Sequence, residues 1–288
     1  MIKTLTLTII ALIAFAANSL LARAGLIDPN MGPKEFTLIR IVSGAVMLMI
    51  ILQFTSRKDN QTKDGQTEGR EGSWRGAAML LLYALMFSLA YVTLDTGFGA
   101  LCLFTSVQLT ILGVAAARKN LGTIELIGAM IAFAGFVYLV IPAMGTPSRA
   151  GIIMMAISGI GWGIYTLLGR GAKSPLRLTA GNFLRASILA LPLILFIIPN
   201  PTLSAQGIGL AVVSGAITSG CGYAVWYAVL PRLSTAMSGV SQLLVPPLAA
   251  LMGWAALGEN LTIRLMIATL IILSGLYIVT LKPRPKAS

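Results

Sequence analysis

The 288-residue chain contains no histidine, so the commonest metal ligand and the usual general base near neutral pH are both missing. Charged residues make up only 10% of it, against about 25% in a typical soluble domain. So few charges cannot cover a water-facing surface, which excludes a soluble globular enzyme. Only nine residues are acidic, and no carboxylate pair falls inside an apolar run. The two cysteines, Cys102 and Cys221, form neither a CxxC pair nor a disulfide framework and read as small packing residues. There is no G-x-S-x-G, no P-loop and no cofactor fingerprint, so neither catalysis nor a bound cofactor has support in the sequence.

What remains is apolar. Hydrophobic residues account for 57% of the chain and the mean hydropathy is +0.87. A helix needs about 20 residues to cross the hydrocarbon core. Apolar runs predict ten such spans, at about 4–24, 37–54, 76–94, 98–117, 124–143, 150–169, 179–198, 208–229, 236–256 and 263–281. The one long polar segment, 55–75, reads as a solvated loop.

The net charge of +12 would point to nucleic acid on a soluble chain; here most basic residues fall in short loops. With the N-terminus placed in the cytoplasm, 15 Lys and Arg lie on that side and five on the other, with Arg185 inside a span. This asymmetry predicts an inner-membrane protein with both termini cytoplasmic. An alternative reading takes Ala22-Arg23-Ala24 as a signal-peptide cleavage site, which would leave nine spans.

The halves 1–145 and 146–288 repeat one another. SLLARAG (19–25) aligns with TLLGRGA (166–172), and SLAYVTL (88–94) with GCGYAVW (220–226). SVQL (106–109) aligns with VSQL (240–243), and the run from Asn120 with that from Asn260. Five spans per copy is an odd number, so the second copy would enter the membrane from the opposite side. The fold expected is an all-α membrane protein of ten helices in two inverted five-helix repeats, an arrangement that serves alternating access.

With GALCLFTSVQLT leading into span 4 and SGVSQLLVPPLAALMGWAALGENLT across spans 9 and 10, the chain resembles EamA-type members of the drug/metabolite transporter superfamily. That resemblance implies a ten-helix inner-membrane carrier, often an exporter of amino acids or other small metabolites. The first half departs from the second at ARKNL, where Lys119 stands opposite Glu259.

Polar side chains at mid-span must face the bundle or a wet cavity. On that ground Asn18, Tyr83, Tyr91, Gln108, Trp162, Tyr165, Tyr223 and Gln242 are candidate solute contacts, from spans 1, 3, 4, 6, 8 and 9. Packing is the competing role for each. Arg185, about six residues into its span, is a candidate for drawing in a carboxylate. Arg40, about three residues in, reads instead as snorkelling to the interface or pairing with carbonyls at helix ends. Trp74 and Trp226 read as interface anchors. Pro246-Pro247 should bend span 9 beside a cavity, while Gly159 and Gly163 give span 6 a small face for close packing that could also slide during gating.

Spans 5 and 10 are mostly aliphatic and are assigned to packing or a homodimer face. The acids all look peripheral, which predicts facilitated or exchange transport, with Asp95 as the surviving candidate for a proton site. A proton-coupled antiporter, a channel, a non-transporting scaffold and, more distantly, a membrane enzyme are the other readings.

Overall fold

The computed structural model describes residues 2–59, 72–118, 122–140, 149–169, 172–197, 203–233 and 241–280. Lys119, Arg170, most of the polar 55–75 segment and the start of predicted span 9 lie outside the described residues.

Helices α1 (Ile2–Ile27), α2 (Pro33–Asp59), α3 (Trp74–Tyr91), α4 (Thr96–Ala117), α5 (Thr123–Val140) and α6 (Arg149–Leu168) follow the first six predicted spans closely. Pro175, in the first turn of α7 (Pro175–Ala190), has no amide donor to lose there. The seventh span is broken at Leu191-Pro192, after which α8 (Leu193–Ile197) adds one more turn. The eighth is continuous but not uniform: α9 (Ala205–Val213) passes into a π-helical segment (Ser214–Cys221), then α10 (Gly222–Val229) and a 3-10 turn (Leu230–Arg232). Helices α11 (Val245–Leu257) and α12 (Ile263–Thr280) complete the chain. No strand occurs among the described residues.

Among the described residues, seven helices are long and apolar enough to cross a membrane, and Val245–Leu257 and Ile263–Val279 are shorter apolar helices. Large apolar side chains face outward along them, such as Leu270 and Met130 at 67% and 61% exposure. That is the surface a bilayer requires. The protein is a multi-pass membrane protein.

Because lipid tails are as apolar as leucine, helices in a bilayer associate through close packing of small residues. The α5–α12 pair shows this directly. A Cβ on Gly275 would lie 2.5 Å from the Ala132 amide nitrogen and 2.6 Å from the Gly128 carbonyl oxygen, so only glycine fits. Arg264 adds a clamp by donating to the Tyr138 carbonyl at 2.6 and 3.1 Å, one of the carbonyls left without a helical partner at the end of α5. Gly159 and Gly163 do the same work between α6 and α4: their missing Cβ atoms admit Ser106, Leu103 and Thr110. Helix α6 runs unbroken through both glycines, so they are points of close approach and not breaks.

Helix α3 packs on α6 and α7, and α4 on α6 and α11. Helix α1 packs on α11 and on the 205–229 segment, which also contacts α2. The space these contacts enclose is the candidate site.

Candidate functional site

A cavity of about 570 Å³ lies among these helices, within the range of small-molecule sites. Phe15, Asn18 and Ser19 of α1, Tyr83 and Phe87 of α3, and Phe104 and Gln108 of α4 form one side. Trp162 and Tyr165 of α6, Thr218 and Ser219 of the π segment, Tyr223, Trp226 and Tyr227 of α10, and Gln242 complete it. The start of α7 contributes Pro175 and Leu178. Seven sequence candidates therefore share one cavity: Asn18, Tyr83, Gln108, Trp162, Tyr165, Tyr223 and Gln242.

The walls are aromatic. The Trp162 ring is stacked between Tyr165, at 5.1 Å and 24°, and Tyr223, at 5.5 Å and 22°. Such pairs add about 0.5–1.5 kcal/mol each beyond area burial. Trp226 is 7% exposed and meets Phe15 edge-on at 5.8 Å, so it is a cavity wall and not the interface anchor its place near a span end suggested. Trp74, 54% exposed, is on the outside.

Behind this wall is a polar network. The Asn18 Oδ1 accepts from Ser214 Oγ at 2.7 Å and lies 3.2 Å from Thr218 Oγ1. Its Nδ2 donates to the Tyr83 hydroxyl at 3.4 Å, and Arg40 Nη2 donates to the same oxygen at 2.8 Å. The π segment, one residue wider per turn than an α-helix, is what presents Ser214 and Thr218 to Asn18 and Ser219 to the cavity. Such segments concentrate at functional sites.

Several candidates fall elsewhere. Arg40 is 3% exposed and lies over the Phe87 and Tyr83 rings at 4.7 and 5.2 Å, so it is a core residue and does not snorkel. Tyr91 is fully buried in the core, donating to the Thr96 carbonyl at 3.3 Å. Arg185 donates to Gly181 and lies over the Trp74 ring at 5.9 Å, away from the cavity. Pro246 and Pro247 occupy the first turn of α11, immediately after a turn at Leu243-Leu244. The break in this span therefore precedes the prolines, and Gln242, ahead of it, is the residue that lines the cavity.

One end of the cavity reaches Gly169, Ala172, Pro175 and Leu230. The opposite end of the bundle is closed by charge. Arg23 donates to the Tyr91 and Val92 carbonyls at 3.0 and 2.9 Å, capping α3, and stands 3.5 Å from Glu259 and 3.6 Å from Asp95. Glu259 accepts from the Thr96 amide at 2.8 and 3.0 Å and from its hydroxyl at 3.0 Å. It thereby caps α4 from another helix pair, because Asp95 in the N-cap position makes no cap hydrogen bond. Burial raises the Glu259 carboxyl above the ordinary 4.5, against the Thr96 hydrogen bonds that lower it. Asp95 keeps 57% side-chain exposure against 10% for Glu259, so the sequestered acid here is Glu259 and not Asp95. No sequence pattern marks this trans-cap.

With this geometry in place, similarity adds a family. The profile of the EamA-like transporter family matches residues 149–281. A Pseudomonas aeruginosa protein, "Uncharacterized protein PA1977", is 46% identical over 98% of this chain and 96% of its own length. A Bacillus subtilis protein, "Uncharacterized transporter YoaV", is 19% identical over 87% of this chain and 88% of its own. A crystal structure superposes with a TM-score of 0.66 at 20% identity, over 97% of this chain and 96% of that one, a likeness of fold.

Proposed function

Because the chain belongs to the EamA-like transporter family, we propose that it is a ten-span secondary carrier that exports amino acids or similar small metabolites by alternating access. In this reading residues 1–145 and 146–288 are inverted five-helix repeats in the cell inner membrane, with both termini cytoplasmic. Transport is facilitated or by exchange.

The observation that carries the proposal is a cavity lined from both halves, with the Arg23–Glu259–Asp95 cluster at the opposite end of the bundle. With the N-terminus inside, the Arg23–Glu259 end faces outward, and the cavity reaches the cytoplasmic end, where an exporter loads. Packing supports the inverted repeat. Pair α1 with α6, α2 with α7, α3 with the 205–229 segment, α4 with α11 and α5 with α12. The α3–α6 contact then maps onto that of the 205–229 segment with α1, and α4–α6 onto α11–α1. Likewise α2 with the 205–229 segment maps onto α7–α3. Two packings related in this way give a carrier its inward-open and outward-open states.

Asn18, Tyr83, Gln108, Trp162, Tyr165, Tyr223 and Gln242 are assigned to the solute. The outward faces of α5 and α12 are assigned to lipid, with a second copy of the chain as the other occupant. Reconstitution in proteoliposomes tests the function. Saturable flux with trans-stimulation is expected; flux that neither saturates nor exchanges indicates a channel, and no flux across a metabolite panel indicates a scaffold. Accumulation driven by an imposed pH gradient would replace the exchange reading with proton coupling.

A further inference from the structure

We propose that Arg40, acting through the Tyr83 hydroxyl, makes the cavity a site for the carboxylate of an aromatic organic acid that carries no ammonium group. The inference rests on the carrier reading above and narrows its cargo, favouring the similar small metabolites over amino acids.

Arg40 is a cation at membrane depth, 3% exposed, with no carboxylate within ion-pair distance among the described residues and with Nη1 buried and unpartnered among them. Arginine does not shed its proton, so the charge stays. The rings of Tyr83 and Phe87 offer it π-faces, but no counter-charge. A buried cation with this little compensation calls for an anion close by.

The route from Arg40 to the cavity is the Tyr83 hydroxyl. Its oxygen already accepts from Arg40 at 2.8 Å and from Asn18 at 3.4 Å, which uses both lone pairs. Its own proton is therefore left to donate, and Tyr83 lines the cavity. The cation beside it polarises that donor, and charge-assisted donors bind carboxylates best. Asn18 presents its Nδ2 to this hydroxyl, with its oxygen turned to Ser214 at 2.7 Å. Ser219 Oγ, 2% exposed and without a partner, lines the same cavity and supplies a further hydroxyl.

The rest of the cavity specifies the body of the solute. The Tyr165–Trp162–Tyr223 stack and the Phe15–Trp226 pair favour a flat ring. Among the described residues no aspartate or glutamate lines the cavity, and Glu259 and Asp95 are committed to Arg23 and Thr96 at the bundle end. A carboxylate is matched here; an ammonium is not.

The test uses the full-length protein and its cavity tryptophans. Fluorescence titration would compare phenylacetate, phenylalanine, phenethylamine and 2-phenylethanol, which share a ring and differ in charge. Phenylacetate is expected to bind roughly ten-fold or more tighter than the neutral alcohol, as a hydrogen bond to a charged group implies, and tighter than phenylalanine. Arg40→Met should abolish that preference. Should this variant not fold, Tyr83→Phe decides, with roughly a ten-fold loss for phenylacetate and little change for the alcohol. Equal wild-type affinity for acid and alcohol, or an equal loss of both in Tyr83→Phe, overturns the proposal. Phenylacetate preference without counterflow in proteoliposomes would fail the carrier reading alone. Counterflow of phenylalanine with no acid preference would fail this inference alone.

Discussion

The Arg23 guanidinium and the Glu259 carboxylate stand 3.5 Å apart, each committed to the end of a different helix. Arg23 satisfies carbonyls at the C-terminal end of α3, and Glu259 satisfies the first amide of α4. Both charges therefore have the sign their helix dipole favours, and together they bind the α3–α4 corner to α1 and to the α11–α12 loop. Opening this end means breaking both caps at once.

Glu259→Ala should loosen that closure at a cost of about 1.5–3 kcal/mol, the range for hydrogen bonds to a charged group. Cys102, fully buried on α4 two turns in from Thr96, reports it when Cys221 is replaced by serine. Maleimide labelling of Cys102 should accelerate roughly ten-fold or more in the variant. An unchanged rate would mean that the cluster is not what seals this end.

The raised Glu259 carboxyl sets the sign of a pH effect. The closed end binds this proton more tightly than a hydrated, opened end with an ordinary carboxyl would, so acidification favours closure. Exchange should slow as the pH falls toward the raised value and be nearly flat above it. Glu259→Gln should remove this dependence. Exchange that speeds up on acidification in the wild type, or an unaltered profile in the variant, would contradict the assignment.

Trp162→Ala removes two stacked contacts from the cavity, together worth about 1–3 kcal/mol. Loss of the ring face on which a flat solute would stack should lower its affinity roughly two- to twelve-fold, the equivalent of one aromatic pair at about 0.5–1.5 kcal/mol, with membrane expression retained. Trp74→Ala, on the exposed surface, is the control and should leave affinity unchanged. Equal effects from both tryptophans would remove the case for the cavity.

Gly275→Ala must push a methyl into the Gly128 and Ala132 backbone, which overpacking data put at about 1–3 kcal/mol. Thermal unfolding in detergent should fall by several degrees, while solute affinity is preserved because neither α5 nor α12 lines the cavity. An affinity loss without destabilisation would show that this pair takes part in binding.

The cavity was legible in the sequence wherever polarity was anomalous for its depth. Asn18, Gln108 and Gln242 stand out in apolar runs, and all three line it. Arg40 was misread because its apolar run begins near residue 37, whereas the helix begins at Pro33 and buries the arginine two turns in. Trp226 suffered the same uncertainty of span ends, since its helix continues to the turn at Arg232. Arg185 follows helical periodicity onto a face that packs by Trp74, a choice no single helix reveals. The Glu259 trans-cap joins residues 163 positions apart, and only tertiary packing brings them together.

In the π segment, binding selectivity depends on the number of residues as well as on their identity. The wide turn absorbs the equivalent of one extra residue, so removing one from Ser214–Cys221 would relax it to an ordinary α-turn and leave the register beyond it in place. Tyr223, Trp226 and Tyr227 would keep their wall, while the hydroxyls of Ser214, Thr218 and Ser219 would lose the placement the wide turn gives them. A one-codon deletion or its reversal would thus remove or restore this polar patch in a single evolutionary step, with no aromatic wall residue mutated. Changes of cargo between near-identical relatives are then to be sought in the length of this stretch before its composition.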